Sequence, residues 1–309
     1  MRYAFFSGSE ISIPFLEAIL NEVVLIVTLP PRVKGRGSKK TDNPLKTFAN
    51  SKQIDVIEVE KFSNEINQKI LSYNLDAIVV FAFGKIIPDE IINNVHCPLN
   101  IHPSDLPLYR GASPIERQLL DGVEESAVTI IKISNQLDAG SIIFKEKFKV
   151  TLFDDYFSFL RKVYDIGITL LKDALKCCSE SRCIPIPQSG QATKANKIKK
   201  EEEIIDFNLV ALSVHNKVRA FTRIGAYAKF RNKILKIFKT EPILNFEHFE
   251  TPGKIVKIEK DFFVVSCGVG AVKVLEVQLE GKKRVPSKDF INGYKLKEGE
   301  ILNENCSPC

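Results

Sequence analysis

AIVVFAFGKIIPDEIINNVHCPLNIHP, residues 77–103, decides the fold. Ala77–Phe83 is apolar and of strand length, Asp89–Asn93 has the acidic start of a short helix, and Pro98–Ile101 reads as a second strand. Two buried strands joined through a helix belong side by side and parallel in one sheet. Reading towards the amino terminus extends the pattern. Arg2–Phe6, Val23–Leu29 and Asp55–Glu58 are further strands, with helical segments at Ile13–Asn21, Pro44–Ser51 and Glu65–Tyr73. The expectation is an α/β domain built on an open, mostly parallel, Rossmann-like sheet, whose functional edge lies beyond the carboxyl ends of the strands, where FAFGKIIP and LNIHP both terminate.

Reading towards the carboxyl terminus, a helix is expected around Ser113–Leu120, followed by β-rich runs at Ala127–Ser134 and Ser141–Val150 joined through NQLDAG. A long helical pattern over Asp154–Cys178 closes the domain. Polar, lysine-rich SGQATKANKIKKEEE then reads as a linker. Beyond it come a helix near Leu209–Arg219 and short strands at Ala226–Phe230, Ile234–Thr240, Gly253–Ile258, Phe262–Cys267 and Val272–Gln278. Their spacing suggests a small β-barrel. The expected division is a catalytic domain at 1–188, a linker at 189–205 and a barrel domain at 206–309.

Composition narrows the functional classes. With 309 residues and 44% hydrophobic content the chain supports two cores. No apolar run approaches the roughly 20 residues of a membrane span, and the amino terminus reads as a first strand, so a cytoplasmic protein is expected. Seven cysteines without framework spacing suggest reduced thiols, and the CSPC tail, Cys306 to Cys309, reads as a frayed terminus. Residues 191–309 hold 22 Lys and Arg against 15 Asp and Glu, whereas residues 1–190 hold 22 against 23. A basic second half suits a polyanionic partner, and equally a solvated lysine-rich surface.

Asn100 and His102 alternate along their strand, so both side chains project to one face while Ile101 turns away. An amide can donate to an oxygen gaining negative charge, and an imidazole can move a proton near neutral pH, a pair suited to acyl transfer. A strand-end histidine satisfied by a backbone carbonyl has the same local sequence. Asp138 of LDAG could orient the imidazole, or serve only as a turn residue.

LNIHPSDLPLYRGASPI followed by VTIIKISNQLDAG resembles the formyltransferase family that uses a formylated tetrahydrofolate, in which Asn-x-His, a Ser-x-Leu-Pro loop and a later Leu-Asp-x-Gly form the active site. The resemblance implies catalytic roles for Asn100, His102 and Asp138. It implies that Ser104, Leu106 and Pro107, with Phe83 and Gly84, hold 10-formyltetrahydrofolate as co-substrate, and that no metal takes part. A primary amine would attack the formyl carbon, Asn100 and protonated His102 would stabilise the oxyanion, and His102, held by Asp138, would relay protons to the departing nitrogen. Asp105 stands where the family usually has leucine, Tyr109 where it often has tryptophan, and Ile224-Gly225 where it has Trp-Pro.

Residues 30–44, PPRVKGRGSKKTDNP, hold five Lys and Arg, two glycines and one acid between a strand and a helix. The spacing is not that of a nucleotide-binding loop. Family members that act on methionyl-tRNA carry such a basic loop, together with a carboxy-terminal domain resembling an OB fold. This resemblance implies initiator methionyl-tRNA as the acceptor, Arg36 with Lys34, Lys39 and Lys40 on its acceptor arm, and a monomeric protein. Arg219, Arg223, Lys282, Lys283 and Arg284 are further RNA candidates on the barrel, and Phe5 or Ile11 would line the pocket for the methionyl side chain. The alternative acceptor is a nucleotide-linked amino sugar. Water as acceptor, or RNA binding by an inactive domain, would leave respectively the basic loop or the intact Asn100, His102 and Asp138 without a role. His96, His215 and His248 lack motif partners and read as structural or surface residues.

Overall fold

The computed structural model describes residues 1–31, 43–245 and 250–303. The amino-terminal strands are β1 Tyr3–Phe6, β2 Val23–Thr28, β3 Asp55–Glu58, β4 Ala77–Val80, β5 Cys97–His102, β6 Glu125–Lys132 and β7 Ile142–Lys149. They form one seven-stranded sheet in the order β3-β2-β1-β4-β5-β6-β7. The pairs from β3 through β5 are parallel, and β6 runs antiparallel to β5. The sheet is therefore mixed. Between the strands lie helices α1 Ile13–Ala18, α2 Pro44–Ser51, α3 Asn64–Leu71, α4 Asp89–Asn93 and α5 Pro114–Asp121, with α6 Tyr156–Ser179 after β7.

Alternation explains why β1 and β4 are buried at every position. Ala4, Phe6, Ile78 and Val80 enter one core with Leu25 and Val27, while Phe5 and Val79 belong to the other face. On that second face Phe15 meets the Phe81 and Tyr164 rings at 4.8 and 5.5 Å. Local chemistry starts the helices. Asn43 accepts from the Leu45 amide at 3.0 Å ahead of Pro44, and the Ser63 hydroxyl accepts from the Ile66 amide at 3.3 Å. The strand expected to reach Phe83 ends at Val80, because Ala82 turns the chain with φ +53°.

The carboxy-terminal elements are α7 Ala211–Ala220, β8 Ala226–Phe230, β9 Lys233–Ile243, β10 Ile255–Ile258, β11 Phe263–Ser266, β12 Ala271–Leu279, β13 Val285–Pro286 and α8 Ser287–Tyr294. Their antiparallel sheet has the order β10-β11-β12-β9-β8, with β13 paired to β12. Among the described residues no strand pairing closes β8 onto β10, so a closed barrel is not found. The segment Gly299–Asn303 instead ties the two edges. Ile255 donates to the Glu300 carbonyl at 2.8 Å, and Asn303 donates to the Lys229 carbonyl at 2.9 Å. Val214 and Val218 of α7, Ala226, Ala228 and Phe230 of β8, and Phe290 of α8 fill the core of this sheet.

The chain forms two compact units that are not separated by a single cut. Residues 115–124 and 149–160 group with 197–309, and the remainder forms the first unit. The expected linker is partly structural, because Ala195 is wholly buried and its amide donates to the Arg110 carbonyl at 2.7 Å. The thiols also depart from expectation, since Cys177 is disulfide-bonded to Cys183. The last turn of α6 brings their Cα atoms to 5.1 Å, a separation that a disulfide spans. No described helix is long and apolar enough to cross a membrane.

Candidate active site

The register β4 to β5, Val80 opposite Asn100, and β5 to β6, His102 opposite Thr129, fixes the strand that carries the two polar side chains. Asn100 and His102 both turn to Asp138, in the β6–β7 connection, while Ile101 between them is buried. Asp138 Oδ1 accepts from Asn100 Nδ2 at 3.0 Å, and Oδ2 accepts from the Gly111 amide at 2.9 Å. His102 Nδ1 stands 3.6 Å from Oδ2, an ion-pair distance beyond hydrogen-bond range. The side chains of His102 and Asp138 are only 4% and 8% exposed.

His102 Nε2 lies 2.9 Å from the Tyr109 carbonyl. A carbonyl only accepts, so Nε2 carries the proton. Nδ1 is then the unprotonated nitrogen, and it faces the Asp138 carboxylate. The strand-end histidine satisfied by a carbonyl and the histidine paired to an aspartate are thus the same residue.

The connection that presents Asp138 depends on its sequence. Asp138 takes φ +51°, and two residues later a Cβ on Gly140 would stand 1.7 Å from the Lys132 carbonyl oxygen. LDAG therefore needs its glycine. Gln188 secures the turn from the far side, donating from Nε2 to the Asp138 and Gly140 carbonyls, each at 2.8 Å. Its Oε1 accepts from Arg110 Nη2 at 2.6 Å and from Nε at 3.1 Å. The Arg110 and Tyr109 amides donate in turn to the Thr193 carbonyl and hydroxyl at 2.9 and 2.8 Å. Arg110, Gly111, Gln188 and Thr193 had no role in the sequence reading; only the glycine of YRGAS carried a local signal.

The expected folate residues occupy different settings. Ser104 is fully buried, donating to the Leu108 carbonyl at 2.6 Å, and its own carbonyl accepts from Thr129 at 2.7 Å. Leu106 is likewise buried, so these two shape the loop from within. Leu106 and Pro107 border a cavity of about 630 Å³ shared with Ile142, Phe144 and Lys145 of β7, which Asn100, His102 and Asp138 do not line. Phe83 lies inside the fold. Its ring is buried, 5.4 Å from that of Phe6, and belongs to the core, whereas Gly84 beside it is open with φ +71°.

Asp105, in the usual leucine position, binds Lys145 at 2.6 Å and Lys147 at 3.4 Å, anchoring the loop to β7. Phe5 is wholly buried in β1 and lines no open pocket; Ile11 is half-buried. Arg219 is also corrected, because its buried guanidinium is used internally, on Asn216 Oδ1 and the Thr151 and Asp154 carbonyls. Arg223, Lys282, Lys283 and Arg284 are exposed. Lys34, Arg36, Lys39, Lys40, His248, Cys306 and Cys309 lie outside the described residues.

A family model described as "Formyl transferase" matches residues 15–175, and its companion "Formyl transferase, C-terminal domain" matches residues 197–295. The chain belongs to the formyl transferase family. Among curated formyl transferases, it is 38% identical to the methionyl-tRNA formyltransferase of Carboxydothermus hydrogenoformans, over 98% of this chain and 99% of that one. It is 34% identical to that of Caldanaerobacter subterraneus subsp. tengcongensis, over 98% and 100%. Solved formyl transferase structures share the fold. A sugar 3N-formyl transferase superposes with TM-score 0.66 at 20% identity, covering 92% of this chain and 99% of that one. The methionyl-tRNA formyltransferase of Clostridium thermocellum gives 0.55 at 19%, covering 78% and 93%.

Proposed function

We infer that this formyl transferase moves the formyl group of 10-formyltetrahydrofolate to the α-amino group of methionine on initiator methionyl-tRNA, yielding formylmethionyl-tRNA for translation initiation. The observation that carries the acceptor is the full-length likeness to methionyl-tRNA formyltransferases at 38% identity. The reaction centre is assigned to Asn100, His102 and Asp138, which converge on one carboxylate.

A free α-amino group has a pKa of about 8, and the adjacent ester of an aminoacyl-tRNA lowers it, so much of the amine is already neutral at pH 7. General base action is therefore needed after attack, when the nitrogen becomes cationic. Asn100 Nδ2 has a second N–H beyond the one given to Asp138, free in valence to meet an oxyanion on the formyl carbon. His102 reaches the substrate once it exchanges the Tyr109 carbonyl for it, and Asp138 then balances the proton the ring carries.

Pro107 and the open turn at Gly84 are assigned to the folate, with Ser104, Leu106 and Phe83 supporting those surfaces from beneath. The basic loop over residues 30–44, with Arg36, Lys34, Lys39 and Lys40, is assigned to the acceptor arm. Residues 1–188 would then carry the chemistry, with 189–205 as connection, and residues 206–309, read as an OB-like module, would hold the tRNA body on exposed Arg223, Lys282, Lys283 and Arg284. The reading is of a cytoplasmic monomer that requires no metal.

Labelled 10-formyltetrahydrofolate is offered with initiator methionyl-tRNA, free methionine or a nucleotide-linked amino sugar, using the parent chain and His102→Ala. Labelling of the tRNA alone, dependent on His102, is expected. Labelling of the sugar would overturn the acceptor and keep the chemistry, and no transfer to any of them would remove the catalytic reading.

A further inference from the structure

Four of the seven cysteines come together in the first unit, away from the Asp138 carboxylate. Cys177 and Cys178 end α6, Cys183 follows the next turn, and Cys97 opens β5. Cys177 is bonded to Cys183, and Cys178 Sγ stands 3.6 Å from Cys183 Sγ. Cys183 thus has two partners within reach, one bonded and one waiting. Cys178 also interacts with the Cys97 thiol. A cavity of about 180 Å³ is lined by Cys97, Lys132, Cys178, Ser181 and Cys183. At about 30 Å³ per water in the liquid, it admits a hydroperoxide.

We propose that Cys178 is the reactive thiol of a hydroperoxide-sensing disulfide site completed by Cys183 and Cys177. The hydrogen bond with Cys97 and then the positive charge of Lys132 lower the pKa of the Cys178 thiol, against the opposing effect of burial. The interaction with Cys178, with burial, pushes Cys97 up; Cys178, less buried than Cys97 and 3.6 Å from Cys183 Sγ, is the nucleophile. Cys267 is the contrast. Burial alone raises it to about 12, leaving an inert thiol.

The chemistry balances with the hydroperoxide as the only oxidant. In the reduced site the Cys178 thiolate attacks one peroxide oxygen, forming a sulfenic acid and releasing hydroxide, which takes up a proton to leave as water. The Cys183 thiol, 3.6 Å away, attacks that sulfur and expels its oxygen as a second water, giving a Cys178–Cys183 disulfide. The Cys177 thiolate then attacks Cys183 Sγ and releases Cys178 as thiolate, leaving the Cys177–Cys183 disulfide that the structure holds. In sum, two thiols and one hydrogen peroxide become one disulfide and two waters. Cys183 also begins the segment that leads through Ile186, paired with Ile142, to Gln188 on the Asp138 carbonyl. The disulfide therefore fastens the start of the chain that holds the catalytic aspartate.

The test uses the full chain, reduced and freed of reductant, then exposed to hydrogen peroxide, with adducts and disulfides located by peptide mass mapping. With dimedone present in the parent chain, label is expected on Cys178 first, at least tenfold ahead of Cys267. Without dimedone, the parent should accumulate Cys177–Cys183, and Cys177→Ser should stop at Cys178–Cys183. Cys178→Ala should form Cys177–Cys183 at least tenfold more slowly than the parent. First labelling of Cys177 or Cys183, or an unchanged oxidation rate in Cys178→Ala, would overturn the proposal. The labelling of the parent needs no variant, so a substitution that impairs folding leaves the test intact.

Discussion

His102 and His215 are both buried, at 3% and 6% exposure, and both use each ring nitrogen, yet their surroundings differ in one decisive partner. His102 has the Tyr109 carbonyl at Nε2 and the Asp138 carboxylate at Nδ1. His215 has the Leu152 carbonyl 2.8 Å from Nε2 and the Thr240 hydroxyl 3.0 Å from Nδ1. A ring between a carbonyl and a hydroxyl is satisfied as the neutral tautomer, donating from Nε2 and accepting at Nδ1. The ring of His102 instead has acceptors at both nitrogens, a carbonyl and a carboxylate. Burial fixes both rings in place; only the carboxylate equips one of them to carry charge through a reaction.

The largest effect is expected from breaking the charged side of this comparison. His102→Ala and Asp138→Asn should each lower kcat/KM by roughly 10²–10⁴-fold, the usual scale for a general acid or base and its orienting partner. Asparagine at 138 can still accept from the Gly111 amide, so its loss of rate reports charge more than turn geometry. His215→Ala should leave kcat/KM within about threefold while lowering unfolding free energy by about 2 kcal/mol, since the buried Thr240 hydroxyl and the Leu152 carbonyl both lose their bonds. Single-turnover formylation alongside urea unfolding separates the two outcomes. A His102→Ala chain with more than a tenth of the parent rate would erase the distinction between the two histidines.

A smaller effect tests how the carboxylate is aimed. Gln188 touches only backbone at the Asp138 turn, and with Arg110 it forms the brace for that turn. Gln188→Ala should lower kcat by about 3- to 10-fold, the equivalent of one or two net hydrogen bonds, with KM for the tRNA unchanged. Steady-state kinetics at saturating folate measures this. An equal fall after Gln188→Ala in KM and kcat would place the residue in substrate binding instead.

Legibility followed the physics of each region. Pro44–Ser51, Asp55–Glu58, Asp89–Asn93 and Ala226–Phe230 were readable to the residue, because caps, prolines and alternation mark their ends locally. The convergence of Asn100 and His102 on Asp138 was legible through strand alternation together with the family resemblance, which singled out Asp138. The brace was not, since Gln188 acts 50 residues downstream of Asp138 and Thr193 reaches back 84 residues to Tyr109. The packing within the expected linker was hidden for the same reason: Ala195 is tied by its amide, which composition does not reveal. Helix α8 went unread because Phe290 is its one fully buried apolar side chain, and a single position sets no helical period. The Cys177–Cys183 bond depends on how α6 ends, which cysteine counting does not capture.

The smallest expected effect lies in the pH dependence of the neutral histidine. Burial is the first cause lowering the pKa of His215, followed, against the hydrogen bond with Leu152, by the nearby charge of Arg219. A folded pKa below the unfolded value means that the unfolded chain binds the extra proton while the folded chain refuses it. Stability contributed by this ring is therefore present above the unfolded value near 6.5 and is lost as pH falls from there towards the folded value. The loss can be no steeper than about 1.4 kcal/mol per pH unit for a single proton. Urea unfolding at pH 7.5 and 5.5 should show the parent losing about 1 kcal/mol more than His215→Gln, which has no ring to titrate. A parent and variant with parallel pH profiles would mean that His215 takes up its proton in the folded chain as readily as in the unfolded one. The neutral partners at Leu152 and Thr240 would then not be what separates His215 from His102.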